Sequence, residues 1–398
     1  MRIVVIGGGV AGTAAAWFAA RGGAQVTLFD AGAGASALTS GAVDLSPWET
    51  APAREPLDAM TTAFVEALGL WRVDGDRRAW VCTGAGIVRA ARGRDASVLD
   101  VGAHAGARVG VARVPRDGWD ADALALALSD EPAARRLGVT FVAVDVEWLH
   151  AASEATLPSG DFAALLDDAA RVGWAAARVE EARRRDAFDA LLVGPWLGAE
   201  APRALALSRA ARIDVGEVLS PLGGPAGERL LSALASVLTA DVERSRAHVT
   251  LDAREGRVIV RGASGDAREF DACVLAPGGV GAGAIALIPP DPTIVGGPPA
   301  SLVSRAWPEG EVAHCAPSQA SAWRAETPLP PLQWSALAGS PLERAGLLHD
   351  GGLALSADRA PLPNVAVAGD HAHGVARTLL GAVASAARAV TRLTGPGT

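Results

Sequence analysis

The chain has 398 residues, of which half are hydrophobic, and carries a formal net charge of −8 at pH 7. This length allows a large buried core and one to three domains. The net negative charge argues against nucleic acid and anionic membranes as partners. We find no run long and apolar enough to span a bilayer, and the amino-terminal segment becomes glycine-rich too early for a secretory signal peptide.

The residue types that are absent or rare limit the chemistry. The sequence contains neither lysine nor tyrosine. Schiff-base chemistry through a lysine of this chain is therefore excluded, and an anionic substrate would have to be bound by arginine. The three cysteines, Cys82, Cys273 and Cys315, form no CxxC pair and no ligand cluster. We therefore expect no metal site, and we expect a reduced, cytoplasmic setting.

The first 30 residues, MRIVVIGGGVAGTAAAWFAARGGAQVTLFD, combine two short apolar runs with a glycine-rich turn. Residues 2–6 are β-branched without polar alternation, which predicts a strand buried on both faces of a parallel sheet. An alanine-rich helix is predicted over residues 11–21 and a second strand over residues 25–29. A strand, a glycine turn, a helix and a strand in this order predict a Rossmann-like α/β unit.

Three glycines of the turn, Gly7, Gly9 and Gly12, match the spacing G-x-G-x-x-G. The first permits the turn, the second lets a pyrophosphate approach the backbone, and the third lets the helix pack close to the sheet. Asp30 follows the second strand, where a carboxylate accepts hydrogen bonds from the hydroxyls of an adenosine ribose and repels a 2′-phosphate. The unit is therefore predicted to bind FAD or NAD in preference to NADP.

Small residues and hydroxyls dominate the next segment, AGAGASALTSGAVDLSPW. Ser36, Thr39 and Ser40 offer short hydrogen-bond donors, and Gly41 leaves room for a flat ring. We expect this segment to lie against the bound cofactor. A flexible surface loop is the alternative.

The middle of the chain interrupts the nucleotide-binding pattern. An amphipathic helix is predicted over residues 55–70. Residues 71–150 alternate short strands with turns and include a helix near residues 120–129, and residues 161–190 predict two charged helices. This block is predicted to form an inserted α+β cap or substrate domain.

The nucleotide-binding pattern resumes near Glu217. A helix is predicted over residues 228–238, a hairpin from residues 249–251 and 258–260, and a buried strand over residues 272–275. A last strand precedes Gly369-Asp370 and a closing helix. The predicted domains are 1–50, 211–290 and 346–398 for the three parts of the nucleotide-binding unit, with 51–210 and 291–345 as insertions.

Three separated pieces, GGGVAG…D, VLAPGG and VAVAGD…LLGAVASAARAV, resemble the FAD-binding domain of the two-dinucleotide-binding-domain flavoproteins, the glutathione-reductase-like and fumarate-reductase-like group. The resemblance implies FAD, with Asp370 on the ribityl chain and the amino end of the closing helix at the flavin. It also implies that the backbone near Val242 contacts adenine and that the turn beginning at Pro277 passes the pyrophosphate. Residues predicted on these grounds to bind the cofactor are Gly7, Gly9, Val10, Ala11, Gly12, Asp30, Ala31, Ser36, Thr39, Ser40, Gly41, Val242, Ala276, Pro277, Gly278, Gly369, Asp370, Leu380, Gly381, Ala382 and Val383.

Three further stretches, TSGAVDLSPW, VGVARVPRDGWDADALALAL and GEVLSPLGGPAGERLLSAL, resemble the flavoprotein B subunit of anaerobic glycerol-3-phosphate dehydrogenase. In that family the third stretch carries G-x-R-L, matched here by Gly227, Arg229 and Leu230. The resemblance implies oxidation of glycerol 3-phosphate to dihydroxyacetone phosphate, with electrons passed through an iron–sulfur partner to the quinone pool. It also implies a cytoplasmic location, or one peripheral to the inner membrane through that partner.

Candidate catalytic residues lie in the loop HAHGVAR. Oxidation of an alcohol requires loss of the hydroxyl proton, for which neutral His371 or His373 is suited near pH 7. Arg377 could bind a substrate phosphate or carboxylate. Arg89 and Arg229 are further candidates for anion binding, although an ion pair explains Arg229 equally well.

Two alternatives stay open, because the family usually carries a glycine-rich loop where this chain has HAHGVARTLLG. One is an FAD-dependent oxidase or dehydrogenase of another small hydroxy or amino substrate. The other is a non-catalytic flavin-binding subunit of a complex.

Overall fold

The computed structural model describes residues 1–32, 34–45, 56–75, 77–247, 249–254, 256–262, 265–278, 362–372 and 378–395, and the backbone of the short strands within 285–353; only the backbone of His371 is described. The strands are β1 (Arg2–Ile6), β2 (Gln25–Phe29), β3 (Ala42–Val43), β4 (Trp71–Arg72), β5 (Ala79–Cys82), β6 (Val88–Ala91), β7 (Gly93–Asp95), β8 (Arg108–Arg113), β9 (Thr140–Asp145), β10 (Ala190–Val193), β11 (Asp214–Glu217), β12 (Val242–Ser245), β13 (Val249–Arg254), β14 (Arg257–Gly262), β15 (Ala267–Phe270), β16 (Ala272–Leu275), β17 (Ile285–Ile288), β18 (Ser301–Ser304), β19 (Val312–Ala313), β20 (Gly352–Leu353) and β21 (Val365–Val367).

The helices of the described residues alternate with these strands. The α-helices are α1 (Val10–Arg21), α2 (Ala59–Leu68), α3 (Ala121–Asp130), α4 (Pro132–Leu137), α5 (Ser159–Ala164), α6 (Ala169–Arg185), α7 (Ala204–Ala211), α8 (Pro225–Val237) and α9 (Leu379–Thr394). Short 3-10 helices cover Ala35–Leu38, Val101–His104, Ala152–Thr156, Leu165–Asp167 and Gly369–His371. None of the helices in this part of the chain is both long and apolar enough to cross a lipid bilayer.

Five parallel strands form the sheet of the nucleotide-binding unit, in the order β12-β2-β1-β16-β21. α1 and α9 cover one face, where Val5, Phe18 and Val383 belong to one buried cluster. The antiparallel meander β13-β14-β15 covers the other face, where Val4 packs in one cluster with Val258. The predicted Rossmann-like α/β class is confirmed, since β1 is buried on both faces as its β-branched sequence requires.

The inserted unit has a second parallel sheet, in the order β11-β10-β8-β9. α3 and α4 pack on one of its faces, with Val109 and Leu192 in their cluster. α6 and α7 pack on the other face, with Leu191 and Val193 in theirs. The insertion is therefore more regular than the expected α+β arrangement, because its largest sheet is parallel and is covered by helices on both sides.

Strand pairing assigns β11 to the sheet of the insertion. β11 pairs with β10, so its residues belong to the sheet of the insertion. This pairing favours an insertion that extends to Glu217 rather than to residue 210, while the division into domains stays a proposal. β3-β7-β4 and β5-β6 form two small antiparallel sheets, whose strands lie between β2 and β8 in the chain. Most of the second predicted insertion, 291–345, lies outside the described residues.

Candidate dinucleotide-binding site

The glycine-rich turn is closed by contacts that leave no room for side chains. Gly7 has φ +111°, and a Cβ there would lie 2.0 Å from the carbonyl oxygen of Ala276. A Cβ on Gly12 would lie 1.7 Å from the carbonyl oxygen of Gly7. The first and third glycines of the motif therefore let three backbone segments meet at the carboxyl edge of the sheet.

Asp30 lies at the same edge, directly after β2. A Cβ on Gly8 would lie 2.4 Å from its Cγ, so the carboxylate rests on the glycine turn. Its Oδ1 accepts a hydrogen bond from the Gly32 N–H at 3.0 Å, and Nη2 of Arg244 is 4.0 Å from its Oδ2. The carboxylate thus keeps free acceptor capacity on the side toward the turn, as ribose recognition needs.

The register of β12 determines where Val242, the residue expected at adenine, lies relative to Asp30. Val242 pairs with Val26 near the amino end of β2, whereas Ser245 pairs with Phe29 and accepts the N–H of Asp30. Val242 therefore lies about 13 Å along the strand from the level of Asp30, which is four residues at about 3.3 Å each. The contact of Val242 with adenine stays a prediction, and the register places this residue toward the amino end of β2, away from Asp30.

Two arginines near Asp30 were missed by sequence reasoning. Arg244 approaches the Asp30 carboxylate, and Nη2 of Arg246 lies 3.7 Å from where a Cβ of Gly32 would be. Both side chains are exposed. A guanidinium beside an adenosine site can stack on the base. The spacing of Arg244 in β12 and Arg246 directly after it was the signal available in the sequence.

Residues 34–45, which we call the bridging segment, begin at the amino end of α1. Ser36 Oγ accepts the Val10 N–H at 3.0 Å, while Gly9, the N-cap residue, has no side chain to do so. A Cβ on Gly9 would lie 3.0 Å from that Oγ. Ser36 therefore caps α1 and holds its hydroxyl where a bound phosphate would meet the helix end.

Ser36→Ala is expected to lower the free energy of unfolding by about 1 kcal/mol, because it removes an N-cap acceptor. The measurement is chemical denaturation beside Ser236→Ala, an exposed serine on α8 whose substitution should change stability by less than about 0.5 kcal/mol. Equal effects of the two substitutions would contradict the capping role.

The bridging segment ends at the amino end of α9. The Asp44 carbonyl oxygen accepts the Leu380 N–H at 3.2 Å. The Thr378 hydroxyl donates to the Leu45 carbonyl at 2.9 Å and accepts the Gly381 N–H at 3.1 Å. The Ala382 N–H donates to the Thr378 carbonyl at 2.9 Å, so protein groups already accept the N–H groups of at least three of the four predicted positions, which the sequence did not indicate.

A partly buried ion pair lies next to this helix end. Arg89 Nη2 is 3.0 Å from Asp44 Oδ2, and Nη1 is 3.4 Å from Oδ1. The side chains are 17% and 14% exposed. Arg89, a candidate for anion binding in the sequence, therefore has its guanidinium held by a carboxylate of the bridging segment.

The ends of β16 and β21 complete the edge. The backbone of Ala276 lies close to Gly7, and Gly278 has φ +87°. Gly369 has φ +67°, and a Cβ there would lie 2.6 Å from Cβ of Ala11. The turn that carries Asp370 therefore packs on the first turn of α1, and the three sequence pieces of the resemblance meet at one edge.

Some of the remaining predicted residues lie in the described part of the chain, and others lie outside it. Thr39 Oγ1 accepts the Gly41 N–H at 3.2 Å, and the Ser40 carbonyl accepts the Ser220 N–H at 2.8 Å. His371 ends a 3-10 turn. Predicted catalytic residues that lie outside the described residues are His373 and Arg377. Of the other predicted cofactor residues, Ala31 follows β2 and Pro277 follows β16. Ala382 and Val383 lie near the amino end of α9.

A cluster that sequence reasoning missed lies behind the bridging segment. Arg229 is fully buried, with Nε 3.0 Å from Asp95 Oδ2 and Nη2 2.7 Å from Glu217 Oε2. Its Nη1 donates to the Gly198 carbonyl at 2.5 Å, and Glu217 also accepts the Leu197 N–H. We call Asp95, Glu217 and Arg229 the buried triad. Arg229, the arginine of G-x-R-L, is therefore engaged in ion pairs with these two carboxyl groups rather than in binding a substrate anion.

Glu217 is completely buried, and this burial is the main influence on the pKa of its carboxyl group. Desolvation, supported by the Asp95 charge, raises the pKa of Glu217 from its usual 4.5 to about 7, against the opposing effect of Arg229. Burial lowers the pKa of Arg229, but the two carboxylates more than compensate, so this guanidinium stays charged.

Thiol and metal chemistry have no support in the described residues. No group of three or more histidine, cysteine, aspartate or glutamate residues there could hold a metal ion. Cys82 and Cys273 are fully buried, and desolvation raises the pKa of both thiols above the usual range. Neither is therefore a reactive thiolate.

Comparison with known proteins supports the local motif. A family model described as an NAD(P)-binding Rossmann-like domain matches residues 5–52. No curated protein sequence matches the chain. The matched residues contain the glycine turn, Asp30 and the bridging segment. The family match therefore supports dinucleotide binding at this edge independently of the structure.

Solved structures with some similarity are flavoenzymes of low identity. An iminodiacetate oxidase from Chelativorans sp. BNC1 is 14% identical, with 99% of this chain and 95% of that chain covered and a TM-score of 0.33. A putrescine oxidase bound to putrescine is 13% identical, with 99% of each chain covered and a TM-score of 0.35. Tetracycline destructase Tet(51) is 11% identical with a TM-score of 0.25, and the alignment covers 72% of this chain but 42% of that one. Similarity of this degree carries no argument about cofactor or substrate.

Proposed function

We propose that the chain is an FAD-dependent oxidoreductase. The observation that supports this most is that the bridging segment contacts the amino ends of both α1 and α9. A helix amino end carries partial positive charge, which remains where protein groups accept its first N–H groups. Two such ends along one sheet edge suit a ligand with a pyrophosphate at one end and a ring that gains negative charge at the other, whereas a nicotinamide dinucleotide needs only the first.

The residues present fit this cofactor. Asp30 would bind the ribose hydroxyls, and the first turn of α1 with Ser36 would bind the pyrophosphate. Asp370 would bind the ribityl hydroxyls, and the first turn of α9 would stabilise the ring. When bound, FAD supplies a two-electron acceptor, and the chain supplies binding, orientation and electrostatics.

We propose glycerol 3-phosphate as the substrate, on the sequence resemblance to the B subunit of anaerobic glycerol-3-phosphate dehydrogenase. His371 or His373 would accept the hydroxyl proton, and Arg377 would bind the phosphate. An iron–sulfur partner would then carry the electrons onward. Within the motif G-x-R-L, Gly227 contacts Ala37, where a Cβ would lie 2.0 Å from the carbonyl oxygen, and Leu230 is fully buried.

The test is an absorbance spectrum of the purified protein, followed by anaerobic addition of glycerol 3-phosphate. Flavin bands near about 370 and 450 nm that bleach on addition are expected. Bands that persist, but bleach with another hydroxy or amino compound, would overturn the substrate. Bands that no compound bleaches until a partner is added favour a non-catalytic subunit. Absence of flavin after reconstitution would overturn the cofactor.

Asp30→Ala is expected to raise the dissociation constant for FAD by about tenfold or more, because two charge-assisted hydrogen bonds to the ribose are lost. The matched control is Asp271→Ala. Asp271 accepts the Arg2 N–H at 2.6 Å at the opposite edge of the same sheet, so its removal should leave FAD affinity unchanged. Fluorescence titration measures both. Equal losses would contradict the assignment of Asp30.

A further inference from the structure

We propose that the buried triad positions the bridging segment across both helix ends and thereby sets the affinity of the site for its dinucleotide. This inference rests on the proposed function for the identity of the ligand. Arg229 would act as a positioning residue, because it would affect the ligand through the backbone of the bridging segment and not by direct contact.

The first connection runs through Asp95. Its backbone N–H donates to the Gly41 carbonyl at 2.7 Å, and its carboxylate is held by Arg229. Gly41 has φ +95°, and a Cβ there would lie 3.3 Å from Cβ of Asp95. β7, which ends at Asp95, also pairs with β3 within the segment. Displacement of the Asp95 carboxylate would therefore move the middle of the bridging segment.

The second connection runs through α8, which carries Arg229. Gly227 lies against Ala37 of the segment so closely that a Cβ would be 2.0 Å from its carbonyl oxygen. Ser220, whose Oγ accepts the Ala226 N–H at 3.3 Å, donates its own N–H to the Ser40 carbonyl. α8 therefore fixes the part of the segment that carries Ser36.

Glu217 connects this assembly to the insertion. It ends β11, its carboxylate accepts hydrogen bonds from Arg229 and the Leu197 N–H, and its backbone N–H donates to the Ser97 carbonyl at 2.8 Å. A planar guanidinium can donate to Asp95, Glu217 and a carbonyl at once, which an ammonium group cannot do in fixed directions. The arginine thus holds three chain segments in one geometry.

The consequence for the site follows from the two ends of the segment. Its first part caps Val10 at α1, and its last part caps Leu380 at α9. A shift of the segment would change the donors available at both helix ends together. Positioning by the triad should therefore appear as ligand affinity, beyond any effect on stability.

Arg229→Lys is the first test, with Glu154→Gln as the matched control. Glu154 pairs with Arg171 inside the insertion, with 12% and 11% exposure, and touches no part of the bridging segment in the contacts described. Hydrogen exchange of the apoprotein and fluorescence titration with FAD are measured on each. Arg229→Lys should accelerate exchange in residues 34–45 more than in β8 and β10, and should raise the FAD dissociation constant about tenfold. The control should change that constant less than about twofold.

Two results would overturn the proposal. One is an unchanged FAD dissociation constant in Arg229→Lys, and the other is uniform acceleration of exchange in both sheets, which a purely structural role produces. If Arg229→Lys does not fold, Asp95→Asn replaces it, with a rise of at least about threefold expected and an unchanged constant counted against the proposal. An unaltered protein that binds no FAD overturns the proposed function, whereas exchange of the apoprotein still decides whether the triad holds the segment.

Discussion

Gly12→Ala is expected to abolish dinucleotide binding and to lower the free energy of unfolding by about 3 kcal/mol or more. The new Cβ would lie 1.7 Å from the Gly7 carbonyl oxygen. Gly7 has little room to move, because the Ala276 backbone is so close that a Cβ on Gly7 would lie 2.0 Å from its carbonyl oxygen. Relief would require α1 to shift from β1, and this shift would carry the amino end of α1 away from Asp30.

The measurement is FAD titration together with chemical denaturation, and Gly173→Ala is the control. Gly173 lies in α6 with nothing within 4 Å of a built Cβ, so alanine there should stabilise the helix by about 0.5–1 kcal/mol. A Gly12→Ala protein that binds FAD with the parent constant would show that the helix end is not the pyrophosphate site.

The amino-terminal unit could be predicted because its signals are local. The observed bounds of β1 and β2 equal the predicted ones, and α1 begins one residue before the predicted start. Each of these elements is specified by residues that are neighbours in sequence, as is the turn that separates them. The position of Asp30 at the end of β2 followed directly.

The features that the sequence did not indicate are contacts between residues that are distant in sequence. Val242 was assigned by resemblance, but its level in the sheet depends on pairing with Val26. Arg229 meets Asp95, 134 residues earlier, and no local pattern indicates that pair. The parallel sheet of the insertion was likewise not predicted, because parallel strands are joined by long crossovers and their order cannot be inferred from short apolar runs.

The candidate site shows the same division. The acceptor role of Ser36 toward Val10 could not be foreseen, although the segment was expected to lie against the cofactor. The sequence gives donors and acceptors, but only the fold decides which of them are satisfied by protein. The caps on α9 are a second case, since Asp44 and Leu380 are far apart in the chain.

The unaltered protein is expected to lose about 3 kcal/mol of stability relative to Glu217→Gln between pH 4.5 and pH 8. Burial raises the pKa of Glu217 to about 7, so the folded state binds this proton more tightly than the unfolded chain does. The stabilising contribution is therefore fully present below about pH 4.5 and is lost as the pH rises through about 7. The absolute cost of the substitution cancels, since only the change of the difference with pH is compared.

Chemical denaturation of both proteins across this range measures the difference. Glu243→Gln is the control: Glu243 is exposed, and hydrogen bonds from Arg268 hold its pKa below the usual 4.5, so its difference should stay flat between pH 5 and pH 8. A difference for Glu217 that is flat or rises with pH would mean that the attraction of Arg229 outweighs desolvation. The triad would then be ionised across this pH range. Two carboxylates and one guanidinium would all carry charge in a site that water does not reach.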